Sequence, residues 1–214
     1  MLEKMIKAVV FDLGGTLMEY KGMPLNWEEF YYKGFQNVSE ANGLNLTDEE
    51  ISVATDILKS YNPRNSGREN EIAPEVIFAD ATSCWSKKPD IERLINDFFD
   101  GLPLDACVFD YSTGLINECK SKGMRVACLT DLPNGMPDCL FRNAITELEP
   151  LFDLYVSSQI CGYRKPNARG LEYIADQFGI AVSELLFVGD EKKDELTAEN
   201  AGCNFTYISE YIER

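Results

Sequence analysis

Five short apolar runs, and the unequal spacing between them, limit what this 214-residue chain can fold into more than any other feature does. Residues 7–12, Lys-Ala-Val-Val-Phe-Asp, form a β-branched run that stops at Gly14-Gly15, the pattern of a buried strand entering a tight turn. The other four, 125–129, 154–156, 185–188 and 205–208, all lie beyond Pro103 and alternate with helical segments. Leu171, Ile174, Ala175 and Phe178 trace one face of such a helix. Strands separated by helices need crossover connections, so the alternation predicts a parallel sheet.

The roughly 80 residues after the first run have a different period. Trp27, Phe30, Tyr31, Gly34, Phe35 and Val38 recur at helical spacing, and Asn42-Gly43 supplies a stop. Thr47 and Glu50 have capping-box spacing ahead of Ile51, Ala54 and Leu58, which share one face of a second helix. Segment 62–70, with Pro63, Arg64, Gly67 and Arg68, reads as a polar loop. Helices are expected over 74–86 and 90–99, with Pro89 at an N-terminal position. The predicted class is α/β: a Rossmann-like parallel sheet core formed by 1–19 and 103–214, with an all-helical insertion over 20–102. The chain has no internal repeat and no low-complexity tract.

Composition narrows the chemistry. The sequence contains no histidine, which excludes Ser-His-Asp and Cys-His catalysis, His-ligated zinc and histidine proton shuttles within one chain. Thirty-six acidic against twenty basic side chains leave a formal charge of -16, a field that repels nucleic acid and anionic membranes. An anionic ligand therefore needs local positive charge or a metal cation. Seven cysteines, odd in number and without a C-x-x-C pair, read as reduced thiols of a cytoplasmic protein. The longest apolar runs fall far short of a membrane span, and the segment near Lys4 and Lys7 has no apolar stretch long enough for a secretion signal.

In an open parallel sheet, ligands collect at the carboxyl ends of the strands. The residues standing there are Asp12, then Thr130-Asp131, then Gly189-Asp190 with Asp194 four residues later. Lys165 lies in the loop Gly162-Tyr163-Arg164-Lys165-Pro166, beyond the run that contains Val156. Each has an ordinary explanation when taken alone. Asp12 is a turn residue, Thr130 a packing residue, and Lys165 a solvated loop lysine. Asp190 and Asp194 favour the N-terminus of a helix starting near Lys192. Arg64 and Arg68 are surface arginines that could also meet an anion.

In their order, however, these segments resemble the four motifs of the haloacid dehalogenase-like (HAD) superfamily. They are Asp12-Leu13-Gly14-Gly15-Thr16-Leu17, Thr130, Gly-Tyr-Arg-Lys165-Pro and Val-Gly189-Asp190-Glu-Lys-Lys-Asp194, followed by Ala201-Gly202. The resemblance covers the core; the helical insertion matches the family's first type of cap in position and helical content. It implies that Asp12 is a nucleophile that forms an aspartyl-phosphate. It also implies Mg²⁺ held by Asp12, the backbone carbonyl of Gly14 and Asp190, with Asp194 nearby as ligand or water holder. Thr130, Asp131 and Lys165 fall on the substrate side. Mg²⁺ and Lys165 would together supply three positive charges against three carboxylates.

One position departs from the pattern. Most phosphatases of the superfamily carry a second Asp two residues after the nucleophile, which protonates the leaving oxygen, and here that position is Gly14. Phosphonatases, P-type ATPases and dehalogenases of the superfamily also lack it. Such acid-base help is worth about 10² to 10⁴ in rate. The chain is therefore expected either to use good leaving groups, such as acyl, aryl or anhydride phosphates, or to recruit another acid, with Glu19 and Asp131 as candidates. The implied activity is that of a Mg²⁺-dependent phosphohydrolase acting on a small phosphorylated metabolite. The alternatives are a catalytically weak binding or regulatory protein on the same fold, or another hydrolytic activity of the family. Phosphomutase chemistry is disfavoured because it depends on the missing acid. Oligomeric state has no signature in the sequence.

Overall fold

The first apolar run becomes the middle strand of the sheet, which explains why all four of its residues are apolar rather than alternating. A strand covered on both faces has no side left for water. The structure, a computed structural model, describes residues 6–213, so Lys4 lies outside the described residues. In chain order, β1 (Ala8–Phe11) and β2 (Met18–Tyr20) precede the helical insertion: α1 (Glu28–Ala41), α2 (Asp48–Ser60), α3 (Pro63–Ser66), α4 (Pro74–Ala81) and α5 (Ile91–Asp100). Then follow β3 (Ala106–Val108), α6 (Ser112–Ser121), β4 (Arg125–Thr130), α7 (Asp138–Asn143), β5 (Leu154–Ser157), α8 (Ser158–Cys161) and α9 (Arg169–Phe178). The chain ends with β6 (Leu185–Gly189), α10 (Lys192–Ala201), β7 (Asn204–Tyr207) and α11 (Ile208–Tyr211). The strand order is β5-β4-β1-β6-β7, with every neighbouring pair parallel, as the alternation of runs and helices predicts.

Strand alternation divides the core in two. Ala8, Val10, Ala127, Leu129 and Phe187 face Leu171 and Ile174 of α9. Val9, Phe11, Cys128 and Val188 face the other way, into a cluster that runs without a break into the helical insertion. There Phe35, Phe78 and Phe98 meet edge to face with centroids 4.9 to 6.0 Å apart, a geometry that adds attraction to simple burial. Gly34 belongs to this stripe because Phe98 occupies the space a side chain would need.

Local details differ from the sequence expectation where side chains override the period. Segment 62–70 is not simply a loop: the Asn62 side chain accepts from the Arg64 N–H at 3.0 Å, and Pro63 opens the single turn α3. Helix α4 stops at Ala81 rather than residue 86, where the Thr82 hydroxyl bonds back to the Phe78 carbonyl at 2.8 Å. The start of α5 is fixed by Asp90, whose side chain accepts from the Arg93 N–H, and not by Pro89. Strands β2 and β3 form an antiparallel pair at the base of the insertion that no period announces, each being three residues long.

Candidate active site

The loop after β1 coils back on itself. The N–H groups of Thr16, Leu17 and Met18 all point to the Leu13 carbonyl, and Gly15 N–H donates to Met18 O at 2.8 Å. Gly15 has φ +78°, a conformation that favours glycine, and the Asp190 carboxylate occupies the space its side chain would take. Asp190 is held there by the Thr16 hydroxyl at 3.2 Å. Thus the turn after the first strand and the end of β6 shape each other across 174 residues of sequence.

Register brings the rest together. β1 lies between β4 and β6, so Asp12, Thr130 and Asp190 stand at one edge of the sheet. The Asp12 N–H donates to Val188 O at 2.9 Å. Lys165, with a side chain 2% exposed, places Nζ 2.6 Å from Asp12 Oδ1 and 2.6 Å from Asp194 Oδ1. Asp194 is fully buried, and its Oδ2 accepts from the N–H groups of Asp190 and Glu191 at 3.2 and 2.9 Å. Its position in the first turn of α10 therefore agrees with the ordinary helix-start reading as well, and both of its oxygens are engaged.

Burial, with Asp194 and Asp190 close by, pushes the Asp12 carboxyl up to about 8, although Lys165 and Lys193 pull it down. Burial and Asp194 raise Asp190 too. Lys165 is held well above its ordinary value: burial opposes its charge, but Asp12, Asp194 and Asp131 outweigh burial. One carboxylate oxygen each from Asp12, Asp190 and Asp194 lies within 4.8 Å of the others. An all-oxygen set of three carboxylates against one ammonium has the chemistry of a divalent hard-cation site, and the residues present fit Mg²⁺.

Above this floor, between it and the helical insertion, lies a cavity of about 500 Å³. Gly14, Thr130 and Lys193 line it from the core, and Trp27, Tyr31 and Arg64 from the insertion. The Trp27–Val38 stripe is thus divided: Phe35 and Val38 are buried core, while Trp27 and Tyr31 reach the cavity. A Cβ at Gly14 would meet nothing within 4 Å.

Asp131 is brought to the site but is not free to act as an acid. Its Oδ1 accepts from the Lys165 N–H at 3.0 Å, and its Oδ2 lies 3.5 Å from Lys193 Nζ. Burial alone would raise its carboxyl, yet Lys193, Arg164 and Lys165 hold it below the usual carboxylate range. Glu19 also lines the cavity, on β2, and its carboxylate makes no hydrogen bond or ion pair among the described residues. Both arginines of the 62–70 segment have partners, and Arg64 is exposed while Arg68 is half-buried. Arg64 makes a two-pronged pair with Glu191, at 3.2 and 2.8 Å. Arg68 is bonded to Tyr61 O, Asn70 O, Glu71 and Asn134. Sequence reading passed over Thr16, Glu191 and Lys193, whose partners lie on distant segments and leave no local pattern.

Comparison with known proteins agrees with this fold. The family described as haloacid dehalogenase-like hydrolase matches residues 6–202. A Clostridium perfringens protein carrying the name of a pyrophosphatase is 27% identical over 98% of this chain and 88% of its own length. A phosphoglycolate phosphatase from Thiobacillus denitrificans is 25% identical over 92% of this chain and 81% of its own. Among solved structures, a HAD phosphatase from Thermococcus onnurineus shares the fold, with a TM-score of 0.60 at 18% identity over 94% of this chain and 86% of that one.

Proposed function

The chain belongs to the haloacid dehalogenase-like hydrolases, and we propose that it is a Mg²⁺-dependent phosphohydrolase acting on a small phosphorylated metabolite through an aspartyl-phosphate on Asp12. The observation that carries this reading is the buried contact of Lys165 Nζ with Asp12 Oδ1 at 2.6 Å, directly below the cavity. In this reading 1–19 and 103–214 form the catalytic core, 20–102 form the cap, and catalysis takes place in the cytoplasm. Phosphatase and pyrophosphatase names among the relatives favour phosphorus as the reacting centre.

Asp12, the Gly14 carbonyl and Asp190 would hold Mg²⁺, with Asp194 behind them, already bonded to Lys165 and two backbone N–H groups. When bound, the ion supplies positive charge that draws the phosphate in and offsets the carboxylates. Lys165 keeps the Asp12 side chain in place and presents its ammonium to a phosphoryl oxygen. Thr130 offers a hydroxyl from the end of β4, and Asp131 fixes the backbone of the Lys165 loop through its bond to the Lys165 N–H. The carboxylate of Asp12 attacks phosphorus, and water later releases phosphate from it. Positioning and electrostatic stabilisation provide most of the catalysis. The cap excludes bulk water and sets which leaving groups fit.

The test is turnover of p-nitrophenyl phosphate and acetyl phosphate with Mg²⁺ and with EDTA, followed by acid quench and mass analysis of the peptide carrying Asp12. Metal-dependent turnover with one phosphoryl group trapped on that peptide is the expected result. No turnover on either substrate, or turnover indifferent to EDTA, overturns the reading.

A further inference from the structure

With Gly14 in place of an acid, the leaving oxygen needs another proton source, and the cavity contains few groups able to serve. Four carboxyls line it: Asp12, Glu19, Asp131 and Glu191. Asp12 is the attacking group. Asp131 is occupied by the Lys165 N–H and by Lys193. Glu191 has both oxygens on Arg64 and a further contact with Lys193 at 3.4 Å. Lys193 is in turn shared between those two carboxylates. Among these carboxyls, Glu19 is the one whose side chain makes no hydrogen bond or ion pair with the described residues.

The backbone places Glu19 beside the missing group. Met18 forms a bridge with Gly14, and its carbonyl accepts the Gly15 N–H at 2.8 Å, so Glu19 follows the residue that the nucleophile turn has folded back against position 14. Tyr111, whose hydroxyl donates to Thr16 O at 3.0 Å, is raised by burial first and then by both Asp190 and Glu19. Glu19 and Asp190 thus both lie near enough to Tyr111 to act on its hydroxyl. The strand that carries it is fixed, since β2 is paired with β3 and Ser112 Oγ donates to Leu17 O at 2.7 Å.

Building on the phosphohydrolase reading, we infer that Glu19 is the catalytic acid-base group, acting across the cavity at the point where a side chain on Gly14 would have acted. As an Asp12 oxygen bonds to phosphorus, the bond from phosphorus to the ester oxygen breaks and its electron pair stays on that oxygen. The Glu19 carboxyl gives its proton to the same oxygen, and the alcohol leaves neutral. In the second half, the Glu19 carboxylate takes a proton from water as the water oxygen bonds to phosphorus. The bond to Asp12 then breaks, which restores the Asp12 carboxylate, releases phosphate and leaves Glu19 protonated.

The experiment compares p-nitrophenyl, phenyl and ethyl phosphates in the wild type, in Glu19→Gln, and in Glu19→Gln combined with Gly14→Asp. An acid matters most for the poorest leaving group. The wild type should therefore show weak dependence on the leaving group. The second half is common to all three esters, so the first half is read by itself as the first-turnover release of the alcohol. In Glu19→Gln that release should stay within a few-fold for p-nitrophenyl phosphate and slow by about 10² to 10⁴ for ethyl phosphate, while steady-state turnover falls on all three. The open space around position 14 accepts a carboxyl, so Gly14→Asp should restore ethyl phosphate turnover in the double variant. A uniform loss of first-turnover alcohol release across the three esters in Glu19→Gln marks a structural role and overturns the inference. Unchanged ethyl phosphate turnover in that variant, or steep leaving-group dependence already in the wild type, overturns it as well. A wild type inactive on all three esters defeats the phosphohydrolase reading itself, a result distinct from each of these.

Discussion

The charges on the floor of the site and those contributed by the helical insertion differ in how they are held. Lys165 is 2% exposed and touches two carboxylates, and Asp194 has both oxygens bonded. On the helical insertion, the Arg64 side chain is 36% exposed and, among the described residues, is held by Glu191 alone. Between these extremes lies a buried seam. Glu71 of the cap takes both Arg68 and the core's Arg164, with the Glu71 and Arg164 side chains each 6% exposed. The backbone joins them there too, since Glu71 N–H donates to Gly162 O at 3.0 Å and Arg164 N–H to Glu69 O at 2.7 Å. Burial and number of partners, more than charge itself, determine what a substitution at each place should do.

The largest effect is expected on the floor, where two neighbouring substitutions should separate activity from stability. Asp12→Asn removes the proposed nucleophile and should cost on the order of 10⁴-fold or more in turnover. Because it also relieves a crowded set of carboxylates, the metal-free melting temperature should hold or rise. Lys165→Met should lose activity too, but it leaves Asp12 and Asp194 buried without their cation, a change worth about 3 to 5 kcal/mol of stability. Turnover assays paired with thermal melts check both. If the two variants melt alike, the floor is not organised around Lys165.

The buried seam is next. Glu71→Ala leaves the Arg68 and Arg164 guanidinium groups without a carboxylate. Burial, and Arg164 beside it, already hold Arg68 below its ordinary value despite Glu71. Loss of one member of such a set costs about 3 to 5 kcal/mol, and at about 2 to 4 °C per kcal/mol for a chain of this size the drop in melting temperature should be plain. An unchanged melt would mean that the seam is held by its backbone bonds, and the contrast with Arg64 would disappear.

A pH dependence follows from the floor's crowding. The Asp12 carboxyl is raised from 3.8 to about 8 in the metal-free fold. Between roughly those values the folded state binds a proton that the unfolded state does not, so metal-free stability should fall as pH rises through that window. A cation must displace that proton. Mg²⁺ affinity should therefore climb with pH, by up to about tenfold per unit, and level off above about 8. Mg²⁺ titrations followed by thermal shift at several pH values would show it. A flat affinity would mean that Asp12 is ionised before the metal arrives.

The contrast between floor and cap also explains how much could be read from sequence. Asp12, Thr130 and Asp190 were legible as candidates because each ends an apolar run, and a parallel sheet must bring those ends to one edge; Lys165, separated from β5 by α8, was legible only through its motif. The helices of the insertion were legible from their period and from capping residues such as Thr47 and Glu50, whose reciprocal bonds the structure shows. The Thr16 to Asp190, Arg64 to Glu191 and Arg164 to Glu71 contacts were not, since each joins segments 93 to 174 residues apart with no periodic signal at either end. The commitment of Asp131 to Lys165 and Lys193 was hidden for the same reason. Its position was visible in the sequence, but its partners were not.

The smallest change in stability should come from Arg64→Ala. An exposed ion pair gains little in water and is worth about 0 to 1 kcal/mol even in good geometry, so the melting temperature should move by no more than a few degrees. Glu191 would not be abandoned, because Lys193 lies 3.4 Å from it and remains. Arg64 nonetheless lines the cavity, and its two-pronged contact joins the cap to the first turn after β6. Its removal should therefore raise KM severalfold while kcat changes less, a split that uniform binding interactions produce. Measuring KM, kcat and the melt together on Arg64→Ala and Glu71→Ala gives the sharpest comparison. Glu71 should govern the melt and Arg64 the KM, and a melt equally damaged by both would show that cap and core are joined by one seam rather than two.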